Sequence, residues 1–97
     1  MIEKEKHIYA QIAALGKQYN VQKIVLFGSR ARGTNELKSD IDIAIYGCND
    51  FREFYFNINE KVDTLLEFDI IDMEQKGISA ELVAEIERDG MVLYEKI

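Results

Sequence analysis

Two short motifs with chemical potential lie near the middle of this chain of 97 residues. Gly28 and Ser29 directly follow an apolar run, and ten residues then separate Ser29 from a pair of aspartates, Asp40 and Asp42. Side chains alternate between the faces of a strand, so these two carboxylates share one face if 40–46 is a strand. Neighbouring carboxylates repel each other, and a divalent cation between them removes that repulsion. Because hard oxygen ligands suit magnesium, the pair predicts a magnesium site.

The turn at Gly28 and Ser29 supplies the second part of the chemistry. Exposed backbone N–H groups after a strand or at a helix start can bind phosphate oxygens. The Ser29 hydroxyl could join them, and it could also serve as an ordinary helix N-cap. Arg30 and Arg32 bring guanidinium groups that pair well with phosphate, although either could be a plain surface residue. A phosphate-binding turn close to a magnesium site predicts that the chain binds a nucleoside triphosphate.

A third carboxylate is needed if two metal ions are bound, because one strand cannot surround both. Three acids, Glu67, Asp69 and Asp72, occur in one later segment. Asp69 lies between apolar residues in the middle of a predicted strand, where a lone acid is hard to explain otherwise. Asp72 is nearer the strand end, where an aspartate more often starts a turn. We therefore predict Asp69 as the third acid.

Hydrophobic periodicity predicts the order helix, strand, strand, helix, strand, helix, strand. The predicted helices cover about 3–19, 51–65 and 79–89, the strands cover 24–27, 40–46, 67–73 and 91–94, and a short helical turn covers 29–33. The second helix carries an aromatic and apolar stripe, which predicts that this stripe packs in the core. An exposed Phe or Tyr on it would instead mark a partner surface.

Composition limits the class of protein. With 47% apolar residues, the chain fits one globular domain over residues 1–97. Its charged N-terminus does not resemble a signal peptide, and no apolar stretch reaches membrane-span length. A single cysteine and a single histidine exclude an intrachain disulfide and a zinc site of His and Cys ligands. These features predict a cytoplasmic protein.

Charge is distributed unevenly along the chain. Residues 22–38 sum to +3, whereas residues 39–97 sum to −10. The basic segment is the one expected to meet phosphates, and the acidic remainder argues against general nucleic-acid binding. The acidic surface either keeps the domain soluble or attracts a basic partner.

The motifs together resemble a known superfamily. The string LFGSRARG at 26–33 followed by SDID at 39–42 is similar to the signature of the DNA polymerase β-like nucleotidyltransferases. More narrowly, it resembles the minimal nucleotidyltransferases of prokaryotes, whose genes usually sit beside one for a HEPN-domain protein. The resemblance covers about 19–94. It implies an α+β palm, in which a small mixed β-sheet is flanked by helices.

The resemblance also implies an activity and its site residues. Minimal nucleotidyltransferases act as antitoxins, and some transfer AMP from ATP to a tyrosine of a HEPN-domain toxin. The implied catalytic acids, which hold two magnesium ions, are Asp40, Asp42 and Asp69. The implied nucleotide-binding residues are Gly28, Ser29, Arg30 and Arg32, without a choice between the two arginines.

Three functions remain open at this point. The first is AMP transfer to a HEPN-domain partner, with no direct contact to nucleic acid or membrane. The second is a non-catalytic module that binds nucleotide and neutralises its partner by forming a complex. The third is a nucleotidyltransferase for a small molecule such as an aminoglycoside. A short chain leaves little room for an acceptor pocket, which favours an acceptor brought by another protein.

Overall fold

The structure is a computed structural model that describes residues 3–97, with side chains from residue 5 onward. Residues 1 and 2, at the start of the predicted domain and of the charged N-terminus, lie outside the described part. Four helices and four strands follow in the order α1, β1, α2, β2, α3, β3, α4, β4. Their bounds are α1 Glu3–Gln18, β1 Lys23–Phe27, α2 Gly28–Arg32, β2 Ile41–Tyr46, α3 Phe51–Lys61, β3 Phe68–Asp72, α4 Ala80–Asp89 and β4 Met91–Glu95.

The strands form one mixed sheet in the order β3-β2-β1-β4. β1 lies antiparallel to both β2 and β4, whereas β2 and β3 are parallel and are connected through α3. The predicted α+β class, a small mixed sheet flanked by helices, is therefore confirmed. The arrangement brings the start of β2 and the start of β3 to the same end of the sheet.

Helices cover the two faces of the sheet unequally. On one face, α1 and α3 pack over the isoleucines of β2 and the inward residues of β1, and all of these are almost fully buried. On the other face, α4 alone packs over a smaller cluster built on Val25, Phe27, Ala44 and Ile86. The alternation predicted for 40–46 is confirmed, because Ile41, Ile43 and Ile45 all belong to the first face.

Local capping explains where most helices begin and end. The Asp50 side chain accepts a hydrogen bond from Glu53 N at 3.2 Å at the start of α3, and the Ser79 hydroxyl accepts one from Leu82 N at 3.1 Å at the start of α4. Asn20 takes a left-handed conformation just after α1, with φ of 58°. The Asp50 and Ser79 side chains are ordinary acceptors for unpaired helix N–H groups, whereas Asn20 ends α1 through its backbone conformation.

Two local predictions are wrong. The α3 stripe was predicted to run to Leu65, but α3 ends at Lys61 and Leu65 is fully exposed, at 103%. A turn in which Thr64 N donates to Val62 O redirects the chain, so Leu66 packs against the core instead. Tyr55, on the same stripe, is also exposed, at 46%.

Candidate active site

The turn between β1 and α2 requires a glycine at its first position. Gly28 has φ of +74°, and a Cβ atom there would collide with the carboxylate of Asp42, lying 3.0 Å from its Cγ. Asp42 pairs with Phe27 across the β1–β2 ladder, so its side chain lies directly against the turn. Gly28 therefore provides both the left-handed turn and the space that Asp42 occupies.

Ser29 lies inside α2 rather than at its cap. The N-cap of this five-residue helix is Phe27, and no side chain caps it, so the N-cap interpretation of Ser29 is wrong. The Ser29 carbonyl accepts hydrogen bonds from Gly33 N and from Thr34 N, which closes the short helix. Its half-buried hydroxyl forms no recorded hydrogen bond with any part of the chain that the structure describes.

Asp42 and Asp69 are direct neighbours on the parallel strands β2 and β3. They are paired in register, so both side chains project from the face that α4 covers in part. Asp40 lies just before β2, two residues from Asp42, and is exposed, as Asp69 is. The structure thus brings the three predicted acids to one end of one sheet face.

Asp72 is separated from this group by strand geometry. It lies three residues beyond Asp69 and so projects from the opposite face. Its Oδ1 accepts a hydrogen bond from Glu74 N at 3.0 Å, which starts the turn after β3. Both observations match the turn role predicted for Asp72, and they favour Asp69 as the third acid.

The electrostatics of Asp42 reflect its crowded surroundings. The pKa of Asp42 is raised from 3.8 to about 6, mainly by burial and in addition by the negative charges of Asp69 and Asp40. Glu85 on α4 acts in the same direction, whereas Arg32 opposes the rise. The carboxylates therefore carry negative charge that the chain itself compensates only in part, a donor set suited to a hard divalent cation. Among residues 3–97, however, no three acidic, His or Cys side chains already form a metal-binding cluster.

The two arginines have different environments. The Arg30 side chain is only 3% exposed, and its guanidinium donates to Ser39 O, Leu37 O and Glu5 Oε1. Its donors are therefore directed into the chain.

Arg32 is 40% exposed and lies beside the acids. Its guanidinium contacts Glu85 Oε2 at 3.2 Å and Asp89 Oδ2 at 3.9 Å, both on α4. It also influences the pKa of Asp42, which places it on the side of the carboxylates.

Sequence reasoning missed Glu85 as a member of this site. Glu85 is half-buried on α4, adjacent to the inward residue Ile86, and bonds Arg32 across the end of the sheet. Helical periodicity gives the face on which Glu85 lies but not which element that face meets. No signal in the sequence could have assigned it to Arg32, 53 residues earlier.

A groove of about 610 Å³ is lined by residues of α1, of α2, of the loop that precedes β2 and of the segment 63–66. Its lining includes Arg30, Leu37 and Leu65 but none of the three acids, so it is separate from the carboxylate site.

In residues 3–97, no helix is both long and apolar enough to cross a membrane.

Comparison with known proteins agrees with the geometry. Residues 10–97 match the family described as "Polymerase beta, Nucleotidyltransferase". A Methanocaldococcus jannaschii protein provisionally named a protein adenylyltransferase is 32% identical over 103 residues, covering 96% of this chain and all of that protein.

Solved structures show the same fold. A toxin–antitoxin crystal structure with AMP-PNP superposes with a TM-score of 0.67 at 24% identity, covering 98% of this chain and 75% of the other. A mutant of the toxin–antitoxin MntA–HpeT gives a TM-score of 0.66 at 28% identity, covering 90% of this chain and 72% of the other. The matched family, the curated relative and the mixed sheet with its acidic end together show that this chain belongs to the polymerase β-type nucleotidyltransferases.

Proposed function

We propose that this nucleotidyltransferase transfers AMP from ATP to a hydroxyl group, most simply a tyrosine, of a HEPN-domain toxin and thereby acts as its antitoxin. Two comparisons support the proposal: the M. jannaschii relative is named for protein adenylylation, and the MntA–HpeT relative is a toxin–antitoxin structure. The proposal treats residues 1–97 as one catalytic domain. Because the reaction consumes ATP, we place it in the cytoplasm.

The observation that carries this proposal is the in-register pair Asp42 and Asp69, with Asp40 beside it, against the glycine turn at Gly28. The chemistry of this donor set fits magnesium, because burial and the negative charges of Asp69 and Asp40 raise the pKa of Asp42, and a cation would neutralise those charges. Asp40 and Asp42 would hold two magnesium ions in common, and Asp69 would hold the one nearer the acceptor. When bound, the ions stabilise negative charge on the attacking and leaving oxygens.

The residues of the chain then have distinct roles in the displacement. The acceptor oxygen forms a bond to the α-phosphorus of ATP, and the bond from that phosphorus to the pyrophosphate oxygen breaks. Asp69 is the nearest assigned base for the proton that the acceptor hydroxyl loses. The backbone of Gly28 and the hydroxyl of Ser29 orient the triphosphate.

Arg32 is the arginine that we assign to the phosphates. It is partly exposed and lies beside the carboxylates. Its ion pairs with Glu85 and Asp89, within the part of the chain that the structure describes, are partly exposed and easily exchanged for a phosphate. Arg30 has neither the exposure nor the available donors for this task. For the choice that the sequence leaves open between the two arginines, we therefore propose Arg32.

The test is direct transfer to a purified HEPN-domain protein encoded beside this chain. The two proteins are mixed with ATP and magnesium, and the partner is examined by intact and peptide mass spectrometry. The proposal expects one or more AMP increments on a tyrosine of the partner, lost when Asp40→Asn and Asp42→Asn are combined.

Two other outcomes would redirect the assignment. If the double variant neutralises the partner fully and no AMP is transferred by either protein, the chain acts by complex formation alone. If the partner stays unmodified and unbound while a small-molecule hydroxyl accepts AMP, the acceptor class is wrong. Asp72→Asn is the matched control, because it removes the same charge from the opposite sheet face.

A further inference from the structure

Arg30, in the five-residue helix α2, is unusual because it is a buried arginine. Its side chain is only 3% exposed, although it follows the phosphate-binding motif Gly28 and Ser29 directly in sequence. Arginine is seldom buried unless its donors are satisfied, and here they are. The side chain therefore has a fixed internal task.

That task concerns the loop between α2 and β2. Nε and Nη2 of Arg30 both donate to Ser39 O, at 3.1 and 2.9 Å, and Nη2 also donates to Leu37 O at 3.1 Å. A planar guanidinium holds two carbonyls in a fixed geometry better than a flexible ammonium group could. Ser39 is the residue immediately before Asp40, so the guanidinium fixes the peptide from which Asp40 projects.

The guanidinium of Arg30 also forms an ion pair with α1. Nη1 of Arg30 donates to Glu5 Oε1 at 3.0 Å, and the Glu5 side chain is 22% exposed. The phenol of Tyr9 lies one turn further along α1. Burial raises its pKa, Glu5 raises it further and Arg30 opposes the rise, so Tyr9 is close to both partners. A helix on one side and a loop on the other thus leave the side chain a single arrangement.

We propose that Arg30 is a positioning residue that holds Asp40 in place for metal binding, and that it never contacts the nucleotide. Apart from the Arg30 contacts, the described hydrogen bonds of the loop are local ones. Thr34 N donates to Ser29 O at 2.9 Å, Asn35 Nδ2 and Ser39 N donate to Glu36 O at 3.2 Å, and Glu36 N donates to Ser39 Oγ at 2.9 Å. Asp40 is exposed and lies outside β2. The peptide after it is fixed because Ile41 N donates to Glu67 O at 2.9 Å, and Arg30 fixes the peptide before it. Residues that orient a metal ligand typically contribute about 10- to 100-fold to metal affinity.

The inference rests on the proposed function, and a double-mutant cycle tests it without any acceptor protein. ATP affinity is measured by calorimetry, with and without magnesium, for Arg30→Gln, Asp40→Asn and the double variant. We expect Arg30→Gln to weaken magnesium-dependent ATP binding by about tenfold. Once Asp40→Asn is present, adding Arg30→Gln should cause no further loss, because Arg30 acts only through Asp40.

Glu5→Gln and Arg30→Lys separate positioning from general destabilisation. Glu5→Gln removes the ion pair but leaves both carbonyl contacts, so it should lower the melting temperature without changing ATP affinity. Arg30→Lys keeps the charge near Glu5 but cannot hold both carbonyls, so its ATP affinity should fall between wild type and Arg30→Gln. If Arg30→Gln does not fold, Arg30→Lys replaces it throughout the cycle.

Hydrogen exchange gives a readout that needs no nucleotide. The amides of residues 34–40 should exchange at least about tenfold faster in Arg30→Gln than in Glu5→Gln. Equal exchange in the two variants would overturn the inference, as would additive losses in the cycle or a loss of ATP affinity that persists without magnesium. If the wild-type chain shows no magnesium-dependent ATP binding, the proposed function fails together with the inference. If the wild-type chain binds ATP with magnesium but the losses in the cycle are additive, only the inference fails.

Discussion

The two faces of the sheet are built from the same strands yet have opposite properties. The face under α1 and α3 carries isoleucines at every inward position of β2, all nearly fully buried. The face under α4 alternates a small apolar cluster with carboxylates, and Asp42 and Asp69 stand side by side at its end. The first face supplies stability through burial, whereas the second keeps charge uncompensated where a ligand can bind.

This difference explains how a short chain can hold a strained site. Like charges on adjacent strands are unfavourable, and they persist only when the rest of the fold determines their positions. Here the ladder between β1 and β2, closed by the buried face, holds Asp42 against the turn at Gly28. A substitution on the buried face should therefore lower stability without changing ligand binding, and a substitution of a carboxylate should change ligand binding without lowering stability.

The largest expected effect is on catalysis. Asp69→Asn should lower AMP transfer by at least about 10²-fold, because the acid nearest the acceptor is lost. It should weaken ATP binding less than Asp40→Asn or Asp42→Asn does. Transfer assays with the partner protein measure this, and Asp72→Asn, on the opposite face, should change the rate by less than about twofold. If Asp72→Asn abolished transfer and Asp69→Asn did not, the third acid would be misassigned by three residues.

The next effect is on stability, and it should leave the acidic face intact. Ile58→Ala on α3 removes a fully buried side chain and should lower the free energy of unfolding by about 2–4 kcal/mol. Leu65→Ala removes an exposed leucine and should change it by less than about 0.5 kcal/mol. Urea unfolding measures both variants. A large loss for Leu65→Ala would mean that α3 extends to this residue, as its periodicity predicted.

A third effect is a gain in stability, whereas most substitutions lower the free energy of unfolding. The folded pKa of Asp42, about 6, lies above its ordinary value of 3.8, so the folded state binds more protons between these pH values. Unfolding free energy therefore falls as pH rises through this window, and the deficit is complete above about pH 6. After allowance for solvent screening, Asp42→Asn should raise stability at pH 7.5 by about 1–2 kcal/mol.

The measurement is urea unfolding in buffer with a chelator, at two pH values. The gain from Asp42→Asn should disappear at about pH 3.5, where the wild-type carboxyl is already protonated. Magnesium should reduce the gain, because it stabilises the wild-type carboxylates only. A loss of stability at pH 7.5 in Asp42→Asn would contradict the charge account of this face.

The smallest effect concerns Glu85. Glu85→Gln removes a partner of Arg32 and a source of repulsion for Asp42, so ATP affinity should rise by about two- to fivefold. Stability should change by less than about 1 kcal/mol, because the ion pair is partly exposed. Calorimetry measures the affinity, with the exposed Glu87→Gln as the matched control. A weaker affinity for ATP in Glu85→Gln would show that Glu85 helps to orient Arg32 instead.

The same contrast shows what could be predicted from the sequence. Alternation in 40–46 gave the two faces of β2 correctly, because a strand has only two sides and isoleucine and aspartate differ sharply in burial. Local pattern also distinguished Asp69 from Asp72: Asp69 is in register with Asp42, whereas Asp72 starts the turn, and the role of Asp69 as the third acid stays a prediction. These features depend on neighbours within one strand or on strand pairing alone.

What could not be predicted depends on tertiary contacts. Nothing in the spacing of Arg30 and Arg32 indicates that one reaches inward to Glu5 and Ser39 while the other reaches α4. Helical periodicity likewise extended α3 to Leu65, because it has no information on the turn at Thr64 that ends the helix. The direction of a long flexible side chain and the last residue of a helix depend on the tertiary contacts around them.

The most direct test of the account is a calorimetric titration of the wild-type chain with ATP, in the presence of magnesium and in the presence of a chelator. The account predicts that affinity falls at least about tenfold without magnesium, and that Asp42→Asn removes this dependence whereas Asp72→Asn retains it. Equal ATP affinity with and without magnesium would contradict the claim that the acidic end of the sheet is a metal-dependent nucleotide site.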